Sequence, residues 1–158
     1  MWFEDLSTHS FGGLEIPRVA IGWLSKDKPF TKGEILEIVY EKLCELNKNP
    51  WSDYSSCGFH ECEFCEKPDA ARLNLRPETQ GNLNLTIPYK SKLYHYPGLI
   101  THYIKKHTYR PPEEFCEAVL ACPPMDSNDY YDQMMEFGEK KLLSCFEEIR
   151  AKRKNLQK

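Results

Sequence analysis

Residues 60–65 read His-Glu-Cys-Glu-Phe-Cys, and this stretch decides which kind of fold the chain can adopt. Cys62 and Cys65 form a Cys-x-x-Cys turn, which holds two thiolates close together on a tight knuckle. Further along the chain, His102 and His107 supply two imidazoles. Two sulfur and two nitrogen donors are a ligand set that zinc prefers in proteins. The pattern therefore predicts a Zn²⁺ ion that fastens the knuckle to a distant segment.

The spacing leaves the fourth ligand open. His102 and His107 are within the separation found in zinc fingers, but on a regular helix they lie about 140° apart. Both can bind one ion only if the last helical turn tightens or unwinds. His60 is the competing ligand, in which case His107 would cap a helix or bond Tyr109, and Cys57 is a weaker third option. The two knuckle cysteines rank first, then His102, then His60 and His107 about equally.

The knuckle does not match a catalytic zinc motif. His-Glu-x-x-His would require a histidine where the chain has Phe64. The deaminase signature fails in both order and spacing. A redox-active cysteine pair is disfavoured because Glu61, Glu63 and Glu66 surround the knuckle, and negative neighbours raise the pKa of a thiol. We therefore expect a structural ion and assign no catalytic residue.

The composition is that of one domain with a substantial core of its own. The chain has 158 residues, of which 41% are hydrophobic and 13% aromatic, so zinc would add to the stability without being its only source. The last nine residues hold five basic and no acidic residues, and residues 1–149 carry a net charge of −8 against −3 for the whole chain. This balance disfavours a dedicated nucleic-acid-binding protein.

Cysteine usage predicts a reducing compartment. The seven cysteines are an odd number, and no apolar signal segment opens the chain. Both features favour the cytoplasm, with thiols and metal in place of disulfides. No apolar run approaches the ~20 residues that span a bilayer, so no membrane association is expected.

The apolar periodicity predicts an α+β fold: a small antiparallel sheet with three to four helices, zinc-stapled and forming a single domain. Alternation of apolar and polar residues predicts strands at 18–24, 73–75, 83–87 and 92–96. Helical spacing predicts helices at 31–47, 98–107, 112–121 and from 128 to about 149, the first opened by a Thr31–Glu34 capping box. Residues 48–70 are predicted to be a loop region. Residues 1–124 would form the zinc-stapled α+β domain, and residues 125–158 a C-terminal helix packed on it with a basic end.

Several segments together carry a familiar pattern. They are Trp-Phe-Glu-Asp-Leu at residues 2–6, Gly-Trp-Leu at 22–24, the knuckle, and the run from Tyr96 to Phe115 with its His-Tyr-Ile-Lys-Lys-His core. In these segments the chain resembles a family of small, uncharacterised bacterial proteins, over roughly residues 1–120. The resemblance implies no activity, but it implies that the knuckle and the three histidines at positions 60, 102 and 107 belong to one feature.

The absence of a catalytic set in the sequence and the acidic balance of residues 1–149 favour a non-catalytic, cytoplasmic, zinc-binding interaction protein. A protein partner is expected, and an immunity-type or toxin-neutralising factor is one example, because small acidic domains suit basic partners. The first alternative is a metal-dependent hydrolase or nuclease, with His60 or His107 as base, helped by Glu61 or Glu63. The second is a nucleic-acid-binding module that stacks bases on a tyrosine cluster, namely Tyr94, Tyr96, Tyr103 and Tyr109.

Overall fold

The computed structural model describes residues 1–10, 16–48, 50–51, 54–65 and 80–138, together with residues 144 and 148. For residues 54–59, 80 and 82 the backbone alone is described. In chain order the elements are β1 (Thr8–His9), β2 (Arg18–Ala20), α1 (Glu37–Lys48), β3 (Tyr54–Glu61), β4 (Gln80–Tyr89), β5 (Lys92–Pro97), α2 (Ile100–His107), α3 (Glu113–Ala121) and α4 (Asn128–Met135).

The strands form one five-stranded sheet in the order β1-β2-β5-β4-β3. The α+β class, with a small sheet, four helices and a single domain, is confirmed. Strands β2 and β5 run parallel, with Val19 opposite Tyr94, whereas the other three pairs are antiparallel. The sheet is therefore mixed, and the prediction of an antiparallel sheet is wrong for the pair β2–β5. The chain returns to the edge of β2 through a long crossover and not through a hairpin.

The two central strands are covered on both faces. Thr86 on β4 and His95 on β5 lie opposite each other in the register, and their exposed fractions are 0% and 1%. The alternation in β4 had predicted one buried and one wet face. The face that carries His95 is instead covered by the indole of Trp23, whose Nε1 donates a hydrogen bond to the His95 carbonyl at 3.1 Å.

Helix α1 begins later than the sequence predicted. The capping box at Thr31 and Glu34 does not form, because residues 31–33 pair with residues 108–110 in extended conformation: Arg110 N–H donates to the Thr31 carbonyl, and Gly33 N–H donates to the Thr108 carbonyl, both at 2.9 Å. Tertiary pairing has replaced the local cap. The buried face of the helix lies within the predicted stripe and consists of Val39, Leu43 and Leu46.

Helices α2 and α3 fall where the sequence predicts them. Helix α4 is capped by Ser127, whose Oγ accepts from Tyr130 N–H at 3.2 Å, and not by Asn128. The Tyr130 hydroxyl donates to the Thr86 carbonyl at 2.7 Å, which docks α4 on the sheet. The helix ends at Met135 and does not run on unbroken to about residue 149 as predicted, since residues 136–138 are not helical and Gly138 is left-handed with φ 70°. The predicted division at residue 124 and the docking of the chain's last residues stay predictions.

Strand β3 occupies a region that the sequence predicted to be loop. It pairs with β4 from Tyr54 opposite Asn84 to Glu61 opposite Gln80, with a register irregularity between Ser55 and His60. Its polar, serine-containing sequence has no strand signal of its own, so the pairing comes from the neighbouring strand. The strand predicted at 73–75 lies outside the described residues. In the described part of the chain, no helix has the length and apolar character needed to cross a membrane.

Candidate metal centre

The end of β3 and the whole of α2 bring four potential ligands together. Cys62 follows directly on β3 and Cys65 lies three positions on, while His102 and His107 project from α2. One ligand atom from each of these four residues lies within 4.8 Å of the others. Sequence-distant donors thus converge on one point, and this group could hold a metal ion.

The distances match a tetrahedral zinc site. The Nε2 atoms of His102 and His107 are 3.2 Å apart. Cys62 Sγ lies 3.3 Å from His107 Nε2, and Cys65 Sγ lies 3.4 Å from each imidazole. A tetrahedral ion with Zn–S bonds of ~2.3 Å and Zn–N bonds of ~2.0 Å separates sulfur from nitrogen by about 3.5 Å and the two nitrogens by about 3.3 Å. The donor set and its spacing therefore fit Zn²⁺.

The last turn of α2 explains how two histidines five positions apart reach the same point. The Tyr103 carbonyl accepts hydrogen bonds from the N–H groups of Thr108 and Tyr109. The first of these bonds spans five residues where an α-helix spans four, so the final turn is wider than a regular one. Thr108 then adopts a left-handed conformation with φ 54°, which ends the helix. The sequence predicted that His102 and His107 could bind one ion only if the last turn of α2 were irregular. The structure shows that this turn is wider than a regular one.

Two backbone N–H groups of the knuckle point at the sulfur of Cys62. The N–H groups of Phe64 and Cys65 donate to the Cys62 sulfur, which is the geometry of a thiolate acceptor on a tight turn. Burial raises the pKa of the Cys62 thiol, and the two N–H groups act in the opposite direction. A raised pKa of the Cys62 thiol is what the sequence predicts, but its main cause is burial and not the neighbouring carboxylates.

Glu63 is turned away from the two thiols. Its Oε2 accepts hydrogen bonds from Ser25 Oγ at 2.8 Å and from Lys26 N–H at 3.1 Å. These bonds, the Ser25 hydroxyl first, lower the pKa of the Glu63 carboxyl. The acidic residue inside the knuckle therefore ties the turn to the loop after Leu24.

Phe64 is the second anchor of the knuckle. Its ring centroid lies 5.4 Å from that of Phe30, 6.2 Å from that of Tyr103 and 5.1 Å from that of His107. The two residues between the cysteines thus fix the turn from both sides. From the sequence, Glu63 is a neighbouring charge or a helper of a catalytic base, and Phe64 is a departure from a catalytic motif. No local pattern reveals their partners, since Ser25 and Phe30 are distant in sequence.

The remaining candidate ligands are placed elsewhere or lie outside the description. His60 is half-buried at the end of β3 and does not belong to the converging group; burial lowers the pKa of its imidazole. The side chain of Cys57 is outside the described residues. Cys116 and Cys122 are buried apolar groups, as the sequence indicated, and burial raises the pKa of the Cys122 thiol to about 12.

The tyrosine cluster does not offer a platform for bases. Tyr94, Tyr96, Tyr103 and Tyr109 have exposed fractions of at most 2%. The Tyr109 hydroxyl donates to Asp5 Oδ2 at 2.8 Å, and the Tyr96 ring lies 5.5 Å from that of Phe115. These rings belong to the buried core, so none of them can stack with a nucleic acid base.

Fold and site together define a small α+β protein with a candidate Cys₂His₂ metal centre. A family model described as "Domain of unknown function (DUF7919)" matches residues 1–120, and the chain belongs to this family. The finding agrees with the resemblance to an uncharacterised family; the bacterial origin implied by that resemblance stays a prediction. Neither the curated proteins nor the solved structures contain a match to the chain.

Proposed function

We propose that Cys62, Cys65, His102 and His107 bind a structural Zn²⁺ ion. The observation that carries this proposal is the convergence of two sulfurs and two Nε2 atoms at separations suited to one tetrahedral ion. Two thiolates balance the charge of Zn²⁺, so the loaded site is neutral and compatible with the low exposure of Cys62 and His102, 5% and 8%. The ion would clamp the knuckle to α2.

A structural role is favoured over a catalytic one because four protein ligands converge, and together they would occupy every position of a tetrahedral ion. A hydrolytic zinc site keeps one position for water and commonly uses histidine and carboxylate ligands. In the alternative of a hydrolase or nuclease, His107 or His60 would act as the base. His107 is needed as a ligand, and His60 lies outside the converging group. Glu63 is held by Ser25 and Lys26.

Metal analysis tests the zinc proposal directly. Protein purified without added metal and without a histidine tag should contain close to one equivalent of zinc. Replacement by Co²⁺ should give the intense visible absorption of a tetrahedral site with thiolate ligands. The Cys62→Ser variant should lose the metal. Cys44→Ser, in a half-buried cysteine of α1 outside the group, is the matched control and should keep it. Zinc-free wild-type protein that cannot be loaded, or full loading of Cys62→Ser, contradicts the proposal.

We further propose that the protein acts in the cytoplasm as a non-catalytic interaction protein, of which an immunity-type factor is one example. A groove of about 410 Å³ between residues 34–39 and α3 supports this role. It contains Leu36 and Leu120, whose exposed fractions are 68% and 44%. Three glutamates and one arginine surround them, namely Glu34, Glu113, Glu117 and Arg110. Apolar side chains inside an acidic rim suit a protein partner that presents an apolar residue flanked by basic ones.

A matched pair of charge-adding variants tests this role. The wild-type chain should retain one protein in stoichiometric amount from native lysate, and Leu120→Glu should abolish the capture. Ser91→Glu adds the same charge at an exposed position of the β4–β5 turn and should leave the capture unchanged. Absence of a stoichiometric partner, or equal capture by Leu120→Glu, contradicts the proposal.

A further inference from the structure

A second cleft, of about 510 Å³, lies beside the candidate metal centre. One wall is the loop that carries Lys26, Lys28, Phe30 and Lys32, and the opposite wall comprises Phe64 of the knuckle and Lys106 at the end of α2. His107 also borders it. The cleft is thus built from the same segments that the knuckle anchors hold together, and its four lysines come from two of them, the loop at 26–32 and the end of α2.

The charge of this cleft is one-sided. Among the described residues that line it there is no carboxylate. Its four lysines are exposed, and none forms an ion pair with a carboxylate of the described residues. Lys28 and Lys32 instead stand over the rings of Trp2 and Phe30, with Nζ-to-centroid distances of 4.9 and 5.4 Å. Asp27 lies in the same loop but is not among the residues that line the cleft, and Glu63 Oε2 already accepts two hydrogen bonds from the loop.

Four cations elsewhere on the described surface are paired with carboxylates, whereas Lys48 and Lys105 are exposed and form no ion pair with a described carboxylate. Lys42, Lys90, Lys92 and Arg110 each lie within 4.0 Å of a glutamate. In a chain whose net charge is −3, four lysines around one cleft without a carboxylate therefore form a local positive field. Such a field attracts anions and raises their local concentration.

We propose that this cleft binds a small molecule that carries a chain of phosphates. All four cations are lysines, which bind phosphate as point charges with freely rotating N–H donors. Four positive charges match the charge of a triphosphate group. The volume lies in the range of pockets for small ligands, about 300–1,000 Å³. The loaded zinc site, of which His107 is a proposed ligand, would be neutral and would leave this charge balance unchanged, so the inference does not depend on the metal.

A nucleic acid strand is the less suitable occupant. A strand needs a basic track and exposed aromatic rings along its length. Here four lysines without an ion pair among the described residues surround one cleft, and residues 1–149 as a whole carry −8. The tyrosines nearest to the metal centre are buried. A compact polyanion fits the observed distribution of charge.

Calorimetric titration of the full-length, metal-loaded chain with inorganic tripolyphosphate tests the inference at about 50 mM salt, where electrostatic binding is strong. The wild type should bind one equivalent saturably. Lys26→Gln combined with Lys32→Gln should weaken binding at least about tenfold, equivalent to about 1.4 kcal/mol. Lys90→Gln combined with Lys92→Gln removes the same charge at lysines paired with glutamates and should bind as the wild type does.

The other outcomes overturn the inference. No saturable binding by the wild type at millimolar tripolyphosphate removes the site. If both double variants bind tripolyphosphate equally more weakly than the wild type, the effect is one of general charge. If both bind it as tightly as the wild type, it binds at another site or chelates the metal. Tighter, cleft-dependent binding of a twelve-nucleotide single strand would assign the cleft to nucleic acid instead. Neither double variant alters a candidate metal ligand, so metal content measured after each titration separates failure of this inference from failure of the zinc proposal.

Discussion

His95 illustrates at the scale of a single residue how burial sets chemistry that the sequence does not show. It lies on β5 with 1% of its surface exposed, and its Nδ1 is 3.4 Å from His9 Nε2. Burial, followed by the proximity of His9 and Arg18, lowers the pKa of the imidazole to about 3. The side chain is therefore neutral in the folded protein at every pH at which the protein is expected to work.

This depressed pKa predicts a loss of stability in acid. Below the unfolded-state pKa of ~6.5 the unfolded chain binds a proton that the folded chain does not, so the stabilisation by neutral His95 is complete above pH 6.5 and declines as the pH falls towards 3. Between pH 7.5 and 5.5 this amounts to about 1.4 kcal/mol in the free energy of unfolding. His95→Gln lacks this component, so the stability difference between wild type and variant should shrink by that amount.

Urea unfolding of both proteins at the two pH values measures the effect. Saturating zinc in every sample is the control, since it keeps any contribution of the metal centre the same for both proteins. Parallel pH dependence of wild type and His95→Gln would contradict the assignment of a buried, neutral imidazole.

At the scale of elements, the segment between β2 and the loop at residue 25 fixes the position of α2. Gly22 has a φ of 71°, and its N–H donates to Asp5 Oδ1 at 2.8 Å. A Cβ at this position would lie 3.2 Å from Ile100 Cδ1 and 3.4 Å from Tyr109 Cε1. The segment packs so closely on α2 that it has no room for a side chain.

Two glycines with the same backbone conformation separate conformational strain from close packing. Gly22→Ala and Gly138→Ala, with φ of 71° and 70°, should each cost about 1 kcal/mol for the left-handed conformation. Gly138 has no heavy atom within 4 Å of an added Cβ, so only Gly22→Ala should cost about 1–3 kcal/mol more. Denaturant unfolding of the two variants measures the difference in the free energy of unfolding. Equal destabilisation would show that α2 shifts to admit the Cβ without loss of stability.

The elements also show where local sequence signals are overridden. The Thr31–Glu34 pattern is a good cap, yet residues 31–33 pair with residues 108–110 because those backbone hydrogen bonds close the fold around the end of α2. Strand β3 forms from a stretch without apolar alternation because β4 offers it an edge. Both differences arise from partners distant in sequence, which periodicity and propensity cannot reveal.

At the scale of the whole molecule, the proposed ion would act on a protein that already has a core. The buried apolar cluster of the described residues joins the helices to β4 and β5 and includes Leu43, Ile87, Tyr96, Phe115 and Met134. The candidate metal centre borders this cluster, to which Cys62 contributes. Metal removal should therefore loosen one region and lower the stability without unfolding the chain.

Chelation of the metal separates the stability that the proposed ion adds from the stability of the core. Treatment with a strong chelator should leave the far-UV circular dichroism nearly unchanged and lower the free energy of unfolding by about 4 kcal/mol for free zinc at a thousandfold its Kd. Hydrogen exchange should accelerate mainly in residues 61–65 and in α2. Added zinc should reverse both effects, and the already metal-deficient Cys62→Ser should show no response to chelator. Complete unfolding would show that the core is not stable without the metal. No change in the free energy of unfolding would show that the metal does not stabilise the fold.

The sequence by itself determined the α+β class, the positions of α2 and α3, and the types of residue that could bind a metal, because apolar periodicity and donor chemistry are local properties. Only the tertiary structure decided that the donors His102 and His107 converge with the knuckle while His60 does not, since this depends on the widened last turn of α2 and on the anchors of Glu63 and Phe64. The mixed strand order and the lysine cleft were likewise decided by contacts between distant segments. Such contacts form when the chain buries its apolar surface, and their energies cannot be predicted from any short stretch of residues.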